Sequence, residues 1–174
     1  THVMSMMFHS PQVHGFFGLP TDPLSSRLVF KEYLSKLDLS GSIIVAPDMG
    51  QAKSAARFAK ALSLPVAAGN KERISDSEVV VNGLVGNQVH GHKRALIYDD
   101  EIATGGSILE LSRVLVNEGV EDIRVVCTHG VFSRGGLERL AGLRLEVFRE
   151  DGEHELRAAR AEHPLDGAHR GGNR

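Results

Sequence analysis

One stretch constrains the fold more than any other: RALIYDDEIATGGSILELSRVL, residues 94–115. Ala95-Leu96-Ile97-Tyr98 is a short apolar run of the kind buried on both faces of a parallel sheet. From Ile108 the spacing changes. Ile108, Leu111 and Leu115, with Leu109 and Val114 beside them, fall at helical intervals, which predicts a helix beginning near Gly105. A tight strand-to-helix turn must join the two. Glycines let backbone come close to a ligand, and the first amides of a helix lack internal partners and sit at the positive end of its dipole. Thr104 and Ser107 add hydroxyl donors. The combination predicts an anion site suited to a phosphate. Asp99 and Asp100, at the carboxyl end of the strand, could accept hydrogen bonds from sugar hydroxyls or hold a hydrated Mg²⁺. The plainer alternative is an ordinary βα turn with Thr104 as N-cap, since glycine-rich turns of this kind are common.

The chain has 174 residues, 41% of them hydrophobic and 24% charged, which predicts a globular domain with a real core. A net charge of −2 gives no sign of a nucleic-acid or membrane partner. There is no apolar run near the ~18 residues a membrane helix needs, and no secretory signal is read. The one cysteine, Cys127, lies in an apolar strand-like run, so no disulfide framework exists and a cytoplasmic location is expected. The histidines are scattered and form no Cys/His metal pattern.

Along the chain, strands and helices alternate. Val3 to Phe8 reads as a strand that begins at once, as if inside a larger architecture. A helix is expected over about 24–37, with Leu24, Leu28, Leu34 and Leu37 on one side. SIIVAP (42–47) reads as a buried strand, and the next helix carries the narrow face Ala52, Ala55, Ala56, Ala59 and Leu62. PVAAGN (65–70) is a further strand. SEVVVNGLVGNQVHGHK (77–93) has β-branched residues and Asn-Gly and Gly-Asn turn signals, the pattern of a β-hairpin or protruding flap. IRVVCTHG (123–130) is the strand after the opening helix, with a helix and a last strand to follow. This alternation predicts an α/β fold, a parallel twisted sheet with helices on both faces plus the hairpin flap, occupying 1–150. Ligands then bind at the carboxyl ends of the strands, where His9, Asp48, Lys71, Asp99 and Thr128 fall. The tail, 151–174, has only Leu156 and Leu165 as large aliphatic residues and is expected to be largely disordered.

Several separate stretches resemble one family. The opening segment resembles the phosphoribosyl-binding loop of the phosphoribosyltransferase superfamily. FHSPQVHGFFGLPTD (8–22) resembles the signature of ribose-phosphate pyrophosphokinases, APDMGQAKSAARFA (46–59) their pyrophosphate-side loop, and NKERISDSEVVVNGLVGNQVHG (70–91) their flexible catalytic loop. THGVFSRGGLERL (128–140) is similar to the segment after their next strand. The resemblance covers about residues 2–142 and matches the second of the family's two similar α/β halves. It implies Mg²⁺-dependent transfer of the β,γ-diphosphoryl group of ATP to the 1-hydroxyl of ribose 5-phosphate, and an oligomer or association with an N-terminal half. It implies that the amide of Ala103, with Thr104, Gly105, Gly106 and Ser107, cradles the sugar phosphate. Asp99 and Asp100 would hold the ribose hydroxyls and their metal. Lys71 and Arg73 would be the basic catalytic-loop pair, and His9 and Asp48 the Mg²⁺-binding positions.

Each residue also has a plain reading. Lys71 and Arg73 could be a solvated charge run, His9 a structural histidine and Asp48 a turn aspartate. The chain departs from the family pattern too. Met7 stands where an aspartate is usual, Gln51 replaces the second glycine of the pyrophosphate-side loop, Ser54 an arginine and Ala103 an acidic residue. Two further readings follow: a non-catalytic homologue associated with full synthetase subunits, and a phosphoribosyltransferase that consumes phosphoribosyl pyrophosphate.

Overall fold

β3 (Ser42–Ala46) is buried along its whole length and shows how the core is divided. Ile43 and Val45 point to one face and Ile44 and Ala46 to the other, the period-2 alternation of a strand covered on both sides. The computed structural model describes residues 1–73 and 79–147, with side chains for 1–70 and 83–143. The expected tail from 151 onward lies outside the described residues.

β3 sits inside a six-stranded sheet of order β5-β4-β3-β6-β7-β8. Its other members are β4 (Val66–Arg73), β5 (Val79–Gly86), β6 (Arg94–Ile102), β7 (Asp122–Gly130) and β8 (Arg144–Val147). All neighbours pair in parallel except β4 and β5. On one face, Phe30 and Leu34 of α1 (Arg27–Leu34) and Ala55, Phe58 and Ala59 of α2 (Ala52–Leu62) pack against Ile44, Leu96, Tyr98 and Val126. On the other, Ile108, Leu111 and Leu115 of α3 (Gly106–Asn117) cover Ile43, Val45, Ala95, Ile97 and Val125. The expected α/β sheet with helices on both faces is thus present. Alanines on α2 bring that helix close to the sheet, and Phe58 stacks on Tyr98 with ring centroids 4.3 Å apart.

Four details differ from the sequence reading. The first strand, β1 (Val3–Met6), pairs in parallel with β2 (Thr21–Leu24) as a separate two-stranded ribbon. It stops at Met7, whose backbone is left-handed (φ 49°). The first helix starts only at Arg27, because Thr21–Leu24, containing Pro23, is extended; Leu28 is 73% exposed while Phe30 is buried. The hairpin is formed by β4 with β5, so its first arm is the 65–70 strand prolonged to Arg73. The polar residues 70–73 concealed that extension. Finally, the helix after β7 is a single turn, α4 (Gly136–Arg139), preceded by a 3₁₀ turn over Ser133–Gly135.

Candidate functional site

The carboxyl ends of β3 and β6, the 47–51 turn before α2 and the first turn of α3 line a cleft of about 420 Å³. Its walls include His9, Asp48, Gln51, Asp99 and Glu101, and its far end is the run from Ala103 to Ile108. The 103–107 turn is held from behind. The amides of Val131 and Phe132 donate to the Ile102 carbonyl at 3.0 and 3.1 Å. The amide and hydroxyl of Ser133 both donate to the Ala103 carbonyl, at 2.8 and 3.2 Å. Gly105 is left-handed (φ 77°), and a Cβ there would sit 3.0 Å from the Leu140 side chain, so glycine is required on both counts.

Gly105, not Thr104, is the N-cap of α3, and no side chain caps that end. The plain reading of a threonine-capped turn therefore does not hold. The first turn of α3 lines the cleft with the positive end of its dipole.

The acidic end is asymmetric. Asp99 and Asp100 are consecutive on a strand, so they point to opposite faces. Asp99 lines the cleft, whereas Asp100 is only 5% exposed. Asp100 Oδ2 lies 3.0 Å from His9 Nδ1, and Asp100 Oδ1 accepts from Gln51 Nε2 at 2.6 Å. The Asp100 amide in turn donates to Asp99 Oδ1 at 2.9 Å. Burial, reinforced by the hydrogen bond and charge of Asp100, pushes the Asp99 carboxyl up to about 7. The Asp100 carboxylate raises the pKa of the His9 imidazole. Asp48 Oδ1 accepts the Gln51 amide at 3.2 Å, which folds the carboxylate over its own turn. Chemically, the cleft offers backbone amides and hydroxyls for an anion at one end, and carboxylates for hydroxyls or a hard cation at the other.

No protein-family model matches the sequence. A ribose-phosphate pyrophosphokinase of Deinococcus radiodurans is 42% identical over 143 residues, 81% of this chain and 44% of that protein. The crystal structure of phosphoribosylpyrophosphate synthetase from Mycobacterium smegmatis superposes with a TM-score of 0.73 at 30% identity, covering 84% of this chain and 48% of that one. The chain is homologous to part of the ribose-phosphate pyrophosphokinases. It spans a little under half the length of the curated relatives it matches. A purine phosphoribosyltransferase from Pyrococcus horikoshii, 17% identical with a TM-score of 0.51 over 74% of this chain and 77% of that one, shares the fold.

Of the residues that the resemblance to ribose-phosphate pyrophosphokinases singles out, His9, Asp48, Asp99, Ala103, Thr104, Gly105, Gly106 and Ser107 line this one cleft. Asp100 lies behind its wall. Lys71 and Arg73 are at the end of β4, and their side chains lie outside the described residues. Met7, in place of the pyrophosphokinase aspartate, turns its sulfur toward the Ser26 and Thr128 hydroxyls, each 3.4 Å away and 2.7 Å from one another. Gln51 and Glu101 were not among the expected site residues. Glu101 was readable as the third acid of Asp-Asp-Glu; Gln51 carried no signal beyond its departure from the family pattern.

Proposed function

We propose that this chain forms the sugar-phosphate half of a ribose-phosphate pyrophosphokinase, which converts ATP and ribose 5-phosphate to AMP and phosphoribosyl pyrophosphate. The observation that carries the reading is one cleft in which a glycine-rich helix start and an acidic strand end face each other, in a chain 42% identical to such an enzyme. In this reading Thr104, Gly105, Gly106 and Ser107, with the Ala103 amide, bind the 5-phosphate and Asp99 serves the ribose hydroxyls, while Asp100, which the resemblance also assigns to those hydroxyls, acts from behind the wall by holding His9 and Gln51. Lys71 and Arg73 close over the transferring phosphates, as cationic clamps do in phosphoryl transfer.

Mg²⁺ would be held by Asp48 and the His9 side of the cleft. Among the described residues no three His, Cys, Asp or Glu side chains form a ready-made cage. Magnesium takes one or two carboxylates together with substrate phosphates, and Asp48 and Asp99 are carboxylates on the cleft wall. When bound, the ion neutralises phosphate charge.

Exposed Met4, Phe16 and Leu28 fit association with an N-terminal half or with further copies. No helix among the described residues is long and apolar enough to cross a membrane, and a lone thiol suits a cytoplasmic enzyme.

The test is AMP release from Mg-ATP and ribose 5-phosphate by this chain alone. Sugar-dependent AMP formation that is lost in Lys71→Ala supports the enzyme. A second reading, a sugar-phosphate-binding homologue without turnover of its own, is favoured by Met7, which offers a thioether where the family offers a carboxylate. Ribose 5-phosphate binding without AMP, even after mixing with an N-terminal half from a relative, selects it. Turnover that needs a nucleobase and releases pyrophosphate selects a phosphoribosyltransferase.

A further inference from the structure

Gln51 joins the two acidic parts of the cleft. Its backbone N–H donates to Asp48 Oδ1 and its side-chain amide to Asp100 Oδ1, two carboxylates carried by different elements. Asp100 is buried and both of its oxygens are engaged, by Gln51 on one side and His9 on the other. It does not line the cleft, whereas Gln51 and His9 do. The arrangement is a buried carboxylate that fixes two side chains at the wall in front of it. A primary amide has two N–H donors and an oxygen with two lone pairs. One N–H is committed to Asp100, which sets the plane of the group and leaves the oxygen and the second N–H to the cleft. An amide fixed in this way suits a hydroxyl, which can both donate and accept; it adds no charge for a phosphate.

We infer that Gln51 is a sugar-positioning residue, held in place by Asp100 so that its amide reads a hydroxyl of the sugar phosphate bound between Asp99 and the 104–107 turn. This rests on the proposed function and adds to it a residue that recognises the sugar rather than its phosphate.

The test uses the full chain, with ribose 5-phosphate and inorganic phosphate as probes, each titrated by calorimetry into wild type and Gln51→Leu. Gln51 is half-buried in the turn before α2 and belongs to neither hydrophobic cluster, and the phosphate titration reports whether losing its bond to Asp100 has disturbed the site as a whole. The expected result is about a tenfold loss of ribose 5-phosphate affinity, the effect of one hydrogen bond, with phosphate affinity retained. The Gln51 side-chain amide resonances of isotope-labelled wild type should shift with ribose 5-phosphate and stay put with inorganic phosphate. Unchanged ribose 5-phosphate binding in Gln51→Leu overturns the inference alone. So does an equal loss for both ligands, which marks a structural role. A wild-type chain with no preference for ribose 5-phosphate over phosphate overturns the proposed function, and this inference with it.

Discussion

His9 Nδ1 and Asp100 Oδ2 lie 3.0 Å apart, although 91 positions separate them in the chain. The pair joins the segment after β1 to the end of β6. The carboxylate raises the pKa of His9. The contact is therefore fully present below the ordinary histidine value of 6.5 and is lost as pH rises through the raised, folded value. Titrating the His9 ring by NMR should show an elevated midpoint that moves down in Asp100→Asn. An unchanged midpoint in that variant would break the assignment.

Asp99 is also shifted upward, but there it is the neutral form that the fold favours. Its folded pKa of about 7 lies above the ordinary 3.8. Between those values the folded chain keeps a proton that the unfolded chain has lost, so stability falls as pH rises through the window and levels off above it. Asp99→Asn removes a group that must be ionised at high pH. Urea melts at several pH values should show a flatter profile for the variant between pH 4 and 7, and a gain over wild type at pH 8.

Gly105→Ala should cost about 1–3 kcal/mol, because it combines a left-handed backbone with crowding against a packed side chain. The new methyl meets Leu140 at 3.0 Å and the Gly136 carbonyl at 3.2 Å. Phosphate affinity should fall at the same time, since the turn that shifts is the one lining the cleft. Thermal melts and phosphate calorimetry check the two effects separately.

Phe58→Ala should cost about 3–5 kcal/mol while leaving phosphate binding intact in the folded fraction. Phe58 is fully buried and stacks on Tyr98, on the face of the sheet away from α3. Chemical denaturation measures the loss. A loss below about 1 kcal/mol would mean that the helix moves in to fill the space.

What could be read from the sequence follows from how local the signal was. The central strands were legible because burial on both faces writes an unbroken apolar run such as Ile43–Ala46. The start of α3 was legible because Gly105-Gly106 can serve few other purposes between a strand and a helix. The separate ribbon was not, since Val3–Met6 looks like any short strand and its partner, Thr21–Leu24, contains a proline. The reach of β4 to Arg73 was hidden by polar residues whose strand geometry comes from pairing with β5. At the site, the type of each acid was visible in Asp99-Asp100, but their division between the cleft and the interior depends on strand alternation and on Gln51. Gln51 becomes meaningful only once α2 is placed beside β6.

Among the described residues, β1 and the segment that follows it meet the rest of the molecule at several polar anchors. His129 Nε2 pairs with the Met6 carbonyl at 2.8 Å, Met7 meets Ser26 and Thr128, and His9 meets Asp100. The last of these belongs to the wall of the cleft. Docking of the first two dozen residues and occupancy of the cleft are therefore thermodynamically linked: a ligand that favours the engaged His9 tightens the ribbon, and a ribbon that detaches lowers affinity by the same factor. Amide exchange in Val3–Leu24 becomes a reporter of what is bound at the far ends of β3 and β6.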